Sequence, residues 1–460
     1  MTPPVDLPAR DRGEIAVVGL ARSGRAVAKL LRKHGYEIYG SDAATTPEVA
    51  ASADELKSIG ITAQLGGHDF ARLARSALVV VSPGVPPDAA PLALAREKGI
   101  PVVSEVGVAL NFLRESRIVA VTGTNGKTTT TALIAHILKH LTGDAVEAGN
   151  IGTALSEVAL SARAPRWIAL EMSSFQLHDT PGLKPLVGVL TNLSPDHLDR
   201  YAGVEEYYAD KARLFAAADG HSRSVVNGDD ERVLEMVERV PGQRHEFSLR
   251  KEAAAFYDER RDQLALLGEP LMPRSRFRLL GRHNVANALA ASLAVAVADD
   301  SHRTPEARLS IAAALETFRA LPHRLELVGE FSGVQWINDS KATNVSSTAV
   351  AIDGMERPTV LLLGGRHKGE PYAALLDVMQ RKVKKVIAYG EAAPLIERDL
   401  SRGIAVEVRG ADFEEVVGAA RSAASPGDAI LLSPACSSYD MFANYEERGD
   451  RFRSLASAVA

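Results

Sequence analysis

Apolar residues in this chain come in short runs rich in β-branched side chains, each stopping at a glycine or a polar loop, with stretches of helical spacing between them. That alternation predicts parallel α/β layers, whose strands are buried on both faces and so read as continuous apolar runs. Three blocks emerge. The first strings together "IAVVG" (15–19), "EIYGSD" (37–42), "LVVVSPG" (78–84) and "IPVVSE" (100–105), and reaches residue 114. The second opens at "RIVAVTG" (117–123), continues through "WIALEMSS" (167–174) and "VGVLTNLS" (187–194), and closes near residue 317 on the helix after "GRHN" (281–284). Within it, "FYDERRDQLALL" (256–267) and "RFRLLG" (276–281) alternate like antiparallel strands, which predicts a small antiparallel sheet beside the parallel one. The third block starts near "LPHRLELV" (321–328) and holds "TVLLLGG" (359–365), "KVIAYG" (385–390), "IAVEVR" (404–409) and "AILLSPA" (429–435). The expected domains are 1–114, 115–320 and 321–460, the outer two Rossmann-like and the central one like a P-loop ATPase.

Composition narrows the class. At 460 residues the chain exceeds what one core organises, and 46% apolar with 24% charged residues excludes disordered and fibrous proteins. With 58 acidic against 53 basic side chains the net charge is -5, so no global positive field recruits nucleic acid or an anionic membrane. An anionic ligand must be captured locally, by loops and helix ends. The single cysteine, Cys436, excludes an intramolecular disulfide and fits a reducing compartment. The opening "MTPPVDLPARDRGE" lacks the apolar centre of a signal peptide, and the Ala-rich "NALAASLAVAVA" (287–298) is a buried helix rather than a membrane span. A cytoplasmic protein without membrane insertion is expected.

Candidate chemistry lies at the ends of the apolar runs. In "AVVGLARSG" (16–24), Gly19, Ala21 and Gly24 have the spacing of a dinucleotide turn, but the methyl of Ala21 crowds the approach of a pyrophosphate. Alone, this stretch fits an NAD-binding turn and an ordinary strand-to-helix turn equally. "AVTGTNGKTTTTAL" (120–133) is more specific: Gly123, Gly126 and Lys127 lead into a threonine-rich helix start, a phosphate loop whose N–H groups, lysine charge and Thr128 hydroxyl suit ATP with Mg²⁺. Val121 stands where the usual loop has its first glycine, so this one is shortened. Glu171 ends the run "WIALE", where an acid suits Mg²⁺ or caps a helix. The next loop offers Asn192, Asp196, His197 and Asp199, a set suited to metal or substrate contact. Lys211 is centred on the apolar face of "EEYYADKARLFAAAD", with Tyr207, Tyr208, Leu214 and Phe215 at helical spacing. A desolvated amine is partly neutral, paired with a buried anion, or able to take up CO₂ as a carbamate; the plainer reading is a lysine snorkelling past an apolar stripe. In the third block, Asp339, Lys341, Thr343 and Asn344 follow "WIN", Lys368 follows a glycine pair, and Ser437 and Ser438 follow another buried run. Together they form a rim for a small polyanion and part of a nucleotide.

The segments "TGTNGKTTTT", "LEMSSFQL", "SPDHLDRY", "GRHNVANALAA", "LPHRLE", "INDSKATN" and "LSPACSSYDMFANYEERG" occur in the order found in the Mur ligase family, and over nearly its whole length the chain resembles the D-glutamate-adding branch. The diaminopimelate- or lysine-adding branch would carry a D-N-P-R stretch, which is absent here; folylpolyglutamate synthases have the phosphate loop near the N-terminus, without a full α/β block before it. The resemblance implies an ATP-dependent ligase that activates the carboxylate of UDP-N-acetylmuramoyl-L-alanine as an acyl phosphate and joins it to D-glutamate, acting as a monomer. It implies that Gly123, Thr124, Asn125, Gly126, Lys127, Thr128 and Thr129 bind ATP phosphates, with Thr128 and Glu171 on one Mg²⁺, and His197 and a carbamylated Lys211 on a second. It assigns Asn284 and Asn287 to the adenine side, Arg324 to phosphate and Asp339 to the ribose. Gly19, Ala21, Arg22, Ser23, Asp42, Ser82, Pro83 and Gly84 would hold the UDP moiety, and Asn150, Ser173 and His197 the muramoyl-alanine end. Lys341, Thr343, Lys368, Ser437, Ser438 and Tyr445 would receive D-glutamate. The chain departs from the family pattern at Ala44, where a basic residue often follows the acid of "SD", and at His367, where an acid is expected. Competing classes are an NAD-dependent oxidoreductase or NAD sensor built on the first block, and a regulatory P-loop NTPase that needs no amino acid.

Overall fold

The computed structural model describes residues 5–196 and 200–458, to which all structural statements below refer. The chain divides into two compact units: one runs to Arg276 and resumes over Ala286–Thr317, the other combines Phe277–Val285 with the residues from Phe318 onward.

The first unit holds two sheets. In the N-terminal one, β1 (Ile15–Val18), β2 (Ile38–Asp42), β3 (Thr62–Leu65), β4 (Leu78–Val81) and β5 (Val102–Ser104) are all parallel, in the order β3-β2-β1-β4-β5. β1 is buried on both faces, as its unbroken "IAVV" requires. Gly19 follows its last residue, Val18, and the helix Arg22–Lys33 starts two residues after Leu20. Gly24 allows that turn to be tight, because a Cβ there would lie 1.7 Å from the Gly19 carbonyl oxygen.

The second sheet contains β6 (Arg117–Thr122), β7 (Ala145–Gly149), β8 (Trp167–Glu171), β9 (Val187–Leu190), β10 (Arg223–Asn227), β11 (Gln243–Ser248), β12 (Ala255–Asp258), β13 (Gln263–Leu266) and β14 (Glu269–Pro273), in the order β14-β13-β12-β11-β10-β9-β6-β8-β7. β6 lies between β8 and β9, with Val121 in register with Glu171 and with Val189. Those three strands therefore end together, and their loops share one rim at the carboxyl edge, where open α/β sheets bind ligands. The antiparallel part, β12 to β14, continues the same sheet.

One strand lies elsewhere than the sequence pattern predicts. "RFRLLG" is not a strand: residues 274–276 form a 3₁₀ turn, and the third antiparallel strand is the preceding Glu269–Pro273. The chain reverses immediately after β13 through Leu267 and Gly268, both in left-handed backbone (φ 52° and 81°), a two-residue hairpin without the usual Asn-Gly signal. Phe277 and Leu279, which give "RFRLLG" its alternation, are buried because they open the segment belonging to the second unit.

The second unit contains β15 (Glu326–Phe331), β16 (Val334–Asn338), β17 (Thr359–Gly364), β18 (Val383–Tyr389), β19 (Val406–Val408) and β20 (Ala429–Leu432), in the order β15-β16-β20-β17-β18-β19, with only β15 antiparallel. None of the described helices is long and apolar enough to cross a membrane.

Arg448 organises the polar end of this second sheet. It is 0% exposed; Nε donates to Ser340 Oγ at 2.9 Å, Nη2 to the Ser340 carbonyl at 2.8 Å, and Nη1 and Nη2 to the Cys436 carbonyl at 3.2 Å. It thereby joins the loop after β16 to the loop after β20. Arg448→Met keeps the apolar stem but leaves two buried carbonyls without their donors, and is expected to cost this unit about 2–4 kcal/mol in urea unfolding. A loss below about 0.5 kcal/mol would contradict this role for the guanidinium.

Candidate functional site

The phosphate loop is built by β6 running into the helix Lys127–Thr142. Gly126 caps that helix in left-handed backbone (φ 81°), and a Cβ there would come within 2.4 Å of Asn287 Oδ1. The loop after β9 clamps the turn from the other side. Thr124 N–H donates to the Asn192 carbonyl (2.9 Å), Asn125 N–H to Asn192 Oδ1 (2.8 Å), and Thr191 Oγ1 and Asn192 Nδ2 to the Asn125 carbonyl (2.6 and 2.9 Å). Thr124 Oγ1 donates to the Ser194 carbonyl at 3.0 Å. With its turn fixed in advance, the loop presents its N–H groups to an anion without first ordering itself. Lys127 folds back over the loop, its Nζ on the carbonyls of Gly123 (2.9 Å) and Thr124 (2.7 Å). Thr128 and Thr129 occupy the first turn of the helix, Thr129 buried. Asn287 accepts from Thr130 Oγ1 at 3.2 Å and so meets the phosphate loop itself, while Asn284 lies in the second unit with its Nδ2 on the Leu280 carbonyl.

Lys211 is on the buried face, as its helical spacing predicts: it is 1% exposed, Nζ donates to the Gly123 carbonyl at 2.7 Å, and Nζ lies 4.5 Å from the centre of the Tyr207 ring. Burial, then the nearby Lys127, hold its amine well below the usual lysine range; Asp196, Glu171 and Asp210 oppose this without reversing it. Glu171 ends β8 at 1% exposure. Its Oε1 accepts from Asn150 Nδ2 at 2.8 Å, and its Oε2 is buried with no hydrogen-bond partner among the described residues. Such an atom is costly unless something completes it. Among the described residues no group of three or more His, Cys, Asp or Glu forms a ready-made cage, and Mg²⁺ does not need one, since it binds through one or two carboxylates plus substrate phosphates. Glu171 at the rim of a phosphate loop fits that donor set. His197 and Asp199 lie outside the described residues. Ser173 caps the helix Ser174–His178 and is engaged with Gln176 in a capping box.

At the N-terminal turn, Asp42 is held by the backbone, Oδ2 accepting from Leu20 N–H (2.7 Å) and Oδ1 from Ala44 N–H (2.8 Å). Ser82 Oγ donates to the Gly19 carbonyl at 2.8 Å, tying the loop of Ser82, Pro83 and Gly84 to the turn of Gly19, Ala21, Arg22 and Ser23. A cavity of about 370 Å³ opens beside that loop, lined on one side by Ser82, Pro83 and Val85 and on the other by Phe175, Gln176, His178, Tyr201, Asp210 and Arg213.

In the second unit, Asp339 is buried: Oδ1 accepts from Leu325 N–H (3.1 Å) and Oδ2 from Ser433 Oγ (2.8 Å). Burial raises its pKa to about 7, with the two hydrogen bonds and Arg324 opposing. Lys341 Nζ sits 3.6 Å from the centre of the Tyr445 ring, and Lys368 Nζ donates to Thr343 Oγ1 at 3.3 Å. Ser437 pairs with Arg366 through both backbone groups (3.2 and 2.9 Å), next to the buried Ser438. His367 Nδ1 meets the Tyr372 hydroxyl at 3.0 Å, and that hydroxyl meets Cys436 Sγ at 2.9 Å. Sequence reasoning missed Arg448, His178, Asp210 and Tyr201, because a buried arginine in a charged helix and a polar cluster between segments have no periodic signature.

Three family models match the chain in succession: the MurD-like N-terminal domain over 13–104, the Mur ligase middle domain over 121–295, and the Mur ligase glutamate ligase domain over 323–436. The UDP-N-acetylmuramoylalanine–D-glutamate ligases of Acidobacterium capsulatum and Anaeromyxobacter dehalogenans are 38% and 40% identical to it, over 97% of this chain and 96% and 98% of theirs. Among solved structures, the UDP-N-acetylmuramate-alanine ligase MurC of Thermotoga maritima aligns with a TM-score of 0.61 at 21% identity, covering 97% of this chain and 100% of that one. MurF of Acinetobacter baumannii aligns with a TM-score of 0.60 at 16% identity, covering 99% and 94%. At those identities the likeness is one of fold.

Asp339 makes the stability of the second unit pH-dependent. Its pKa is raised above the ordinary carboxyl value of 3.8 to about 7, so the folded state favours the protonated form and loses stability as pH rises toward 7. Asp339→Asn removes that cost and is expected to raise the unfolding midpoint more at pH 8 than at pH 5. An equal shift at both values would contradict it.

Proposed function

The chain belongs to the Mur ligase family, and on that premise we propose that it is an ATP-dependent ligase joining D-glutamate to UDP-N-acetylmuramoyl-L-alanine, with release of ADP and phosphate, in peptidoglycan precursor synthesis. The observation that carries this reading is the convergence of Lys127 and Lys211 on the Gly123 carbonyl, at the rim where β8 delivers a Glu171 oxygen that has no partner among the described residues. A carboxylate is a poor electrophile, and amide formation in water needs activation. The alanyl carboxylate attacks the γ-phosphate of ATP, the P–O bond to ADP breaks, and an acyl phosphate results; the D-glutamate amine then attacks the acyl carbon and phosphate leaves.

The loop N–H groups and Lys127 hold the phosphates and offset the charge that builds on them. The family implies Mg²⁺ dependence in general, and we assign one ion to Thr128 and Glu171 and a second to His197 and a carbamate on Lys211; such ions neutralise phosphate charge and orient the reacting oxygens. A neutral amine adds to CO₂ with loss of one proton, and the lowered pKa of Lys211 supports that chemistry. We assign Asn287, Asn284, Arg324 and Asp339 to the rest of ATP. The UDP moiety goes to the turn at Gly19 with Asp42, Ser82, Pro83 and Gly84, and the muramoyl-alanine end to Asn150, Ser173 and His197. D-Glutamate goes to Lys341, Thr343, Lys368, Ser437, Ser438 and Tyr445, whose cations and hydroxyls match two carboxylates. The N-terminal turn falls within the MurD-like match, which supports a UDP site over a nicotinamide one. The working division is 1–114, 115–320 and 321–460, each range holding one sheet. The buried free thiol of Cys436 supports a cytoplasmic setting, and one chain supplies every assigned residue, so a monomer suffices.

Phosphate release with UDP-N-acetylmuramoyl-L-alanine and ATP, supplied in turn with D-glutamate, L-glutamate, lysine and diaminopimelate, tests the reading. Release is expected only with D-glutamate; release without any amino acid, or a preference for L-glutamate, would overturn it. Lys211→Ala is expected to lower turnover by on the order of 100-fold, with partial recovery in a short carboxylic acid. Near-normal activity of that variant would remove the carbamate from the account.

A further inference from the structure

Asp210 makes contacts that neither the phosphate loop nor the metal assignments use. Its side chain is largely buried in the wall of the 370 Å³ cavity, on the helix Val204–Ala212. Oδ1 accepts from His178 Nδ1 at 2.8 Å and from Arg213 Nε at 2.9 Å, and Oδ2 accepts from the Tyr201 hydroxyl at 3.1 Å. One carboxylate thus ties together three separate pieces of backbone: the end of the helix after Glu171, the turn before the helix of Lys211, and the turn that follows it. The Tyr201 ring stacks on Phe175 (centres 5.4 Å apart, planes 9° apart) and meets Tyr207 edge-on at 5.5 Å. Tyr207 in turn donates to Thr124 Oγ1 at 3.3 Å. The wall is therefore continuous from the cavity to the phosphate loop.

We infer that Asp210 is a positioning residue for the UDP-linked substrate, holding His178, Arg213 and Tyr201 as one preformed wall of the cavity that faces Ser82 and Pro83. This rests on the ligase reading above. A substrate reaching from the turn at Gly19 to the phosphate loop passes this cavity, and its middle is an acylated sugar. The mixed lining suits such a group: Pro83, Val85 and Phe175 meet its C–H faces, and the polar wall meets its hydroxyls and amides. The charges around His178 are consistent with a fixed wall. Asp210 and Asp179 favour its protonated form, outweighing burial and Arg213, so its pKa is raised. Without the carboxylate, three donors lose their acceptor, so the wall opens. Asparagine in its place can still accept from His178 and Arg213 through its oxygen and donate to Tyr201 through its nitrogen.

Calorimetric titration of wild type, Asp210→Ala and Asp210→Asn with UDP-N-acetylmuramoyl-L-alanine, and separately with Mg·ATP, provides the test, alongside KM and kcat. Asp210→Ala is expected to weaken the UDP-substrate about tenfold in Kd and KM, with a smaller change in kcat and Mg·ATP binding within about twofold of wild type. Asp210→Asn should recover most of the loss, which a merely structural defect would not predict. If Asp210→Ala does not fold, His178→Ala carries the test, with a loss in the same direction. UDP-substrate binding within about twofold of wild type in the folded variant overturns the inference, as does an equal loss for Mg·ATP. Failure of the wild type itself to bind the UDP-substrate would instead count against the ligase reading.

Discussion

Two lysine amines share one backbone oxygen in this protein, and the rim of the phosphate loop is arranged around that contact. Lys127 and Lys211 both donate to the Gly123 carbonyl, from the first turn of one helix and the buried face of another. Burying the Lys211 amine is costly, and the neighbouring Lys127 further disfavours its charge. Across the same rim Glu171 keeps one buried carboxyl oxygen that has no partner among the described residues. A cation would complete that oxygen, and a polyphosphate with its cation has the matching chemistry for the lysines beside it.

The parallel sheet supplies the rigidity such an arrangement needs. β6, β8 and β9 end in register, so the phosphate loop, Glu171 and the loop from Thr191 to Asp196 are set by strand pairing rather than by the loops' own preferences. Side-chain hydrogen bonds from Thr191, Asn192 and Thr124 then remove the remaining freedom. The second unit uses a different device: its polar loops are collected by one buried guanidinium, that of Arg448, and by the carboxyl of Asp339.

Much of this was legible in the residues because it depends on local order. Runs such as "IAVV" and "TVLLLG" are strands for the reason they look like strands, and Lys211 is buried because four apolar neighbours at helical spacing leave it no polar face. Glu171 announces itself as an acid ending an apolar run. What sequence could not reveal depends on meetings between distant segments. Asp210 reads as a polar residue on a charged helix, and only the fold brings it to His178 and Tyr201. Arg448 sits in "YEERGDRF", where every sign points to solvent. "RFRLLG" misled because a hairpin closed one turn earlier, through a Leu-Gly pair with no recognisable turn chemistry, leaving its apolar residues to pack with the other unit. Asp42 also has contacts the sequence does not show, with both its oxygens serving backbone N–H groups.

At the rim of the phosphate loop the carboxylate of Glu171 has one oxygen without a partner among the described residues, and the cation of a bound nucleotide would complete it. Glu171→Gln separates that from ordinary structural support, because the amide keeps the shape and the contact with Asn150 while removing the carboxylate. Thermal unfolding of wild type and Glu171→Gln, with and without Mg·ATP, measures it. The account predicts that without ligand the variant is at least as stable as wild type, and that Mg·ATP raises the wild-type midpoint but barely moves that of the variant. A variant that unfolds well below wild type without ligand, yet shows the full Mg·ATP shift, would contradict it.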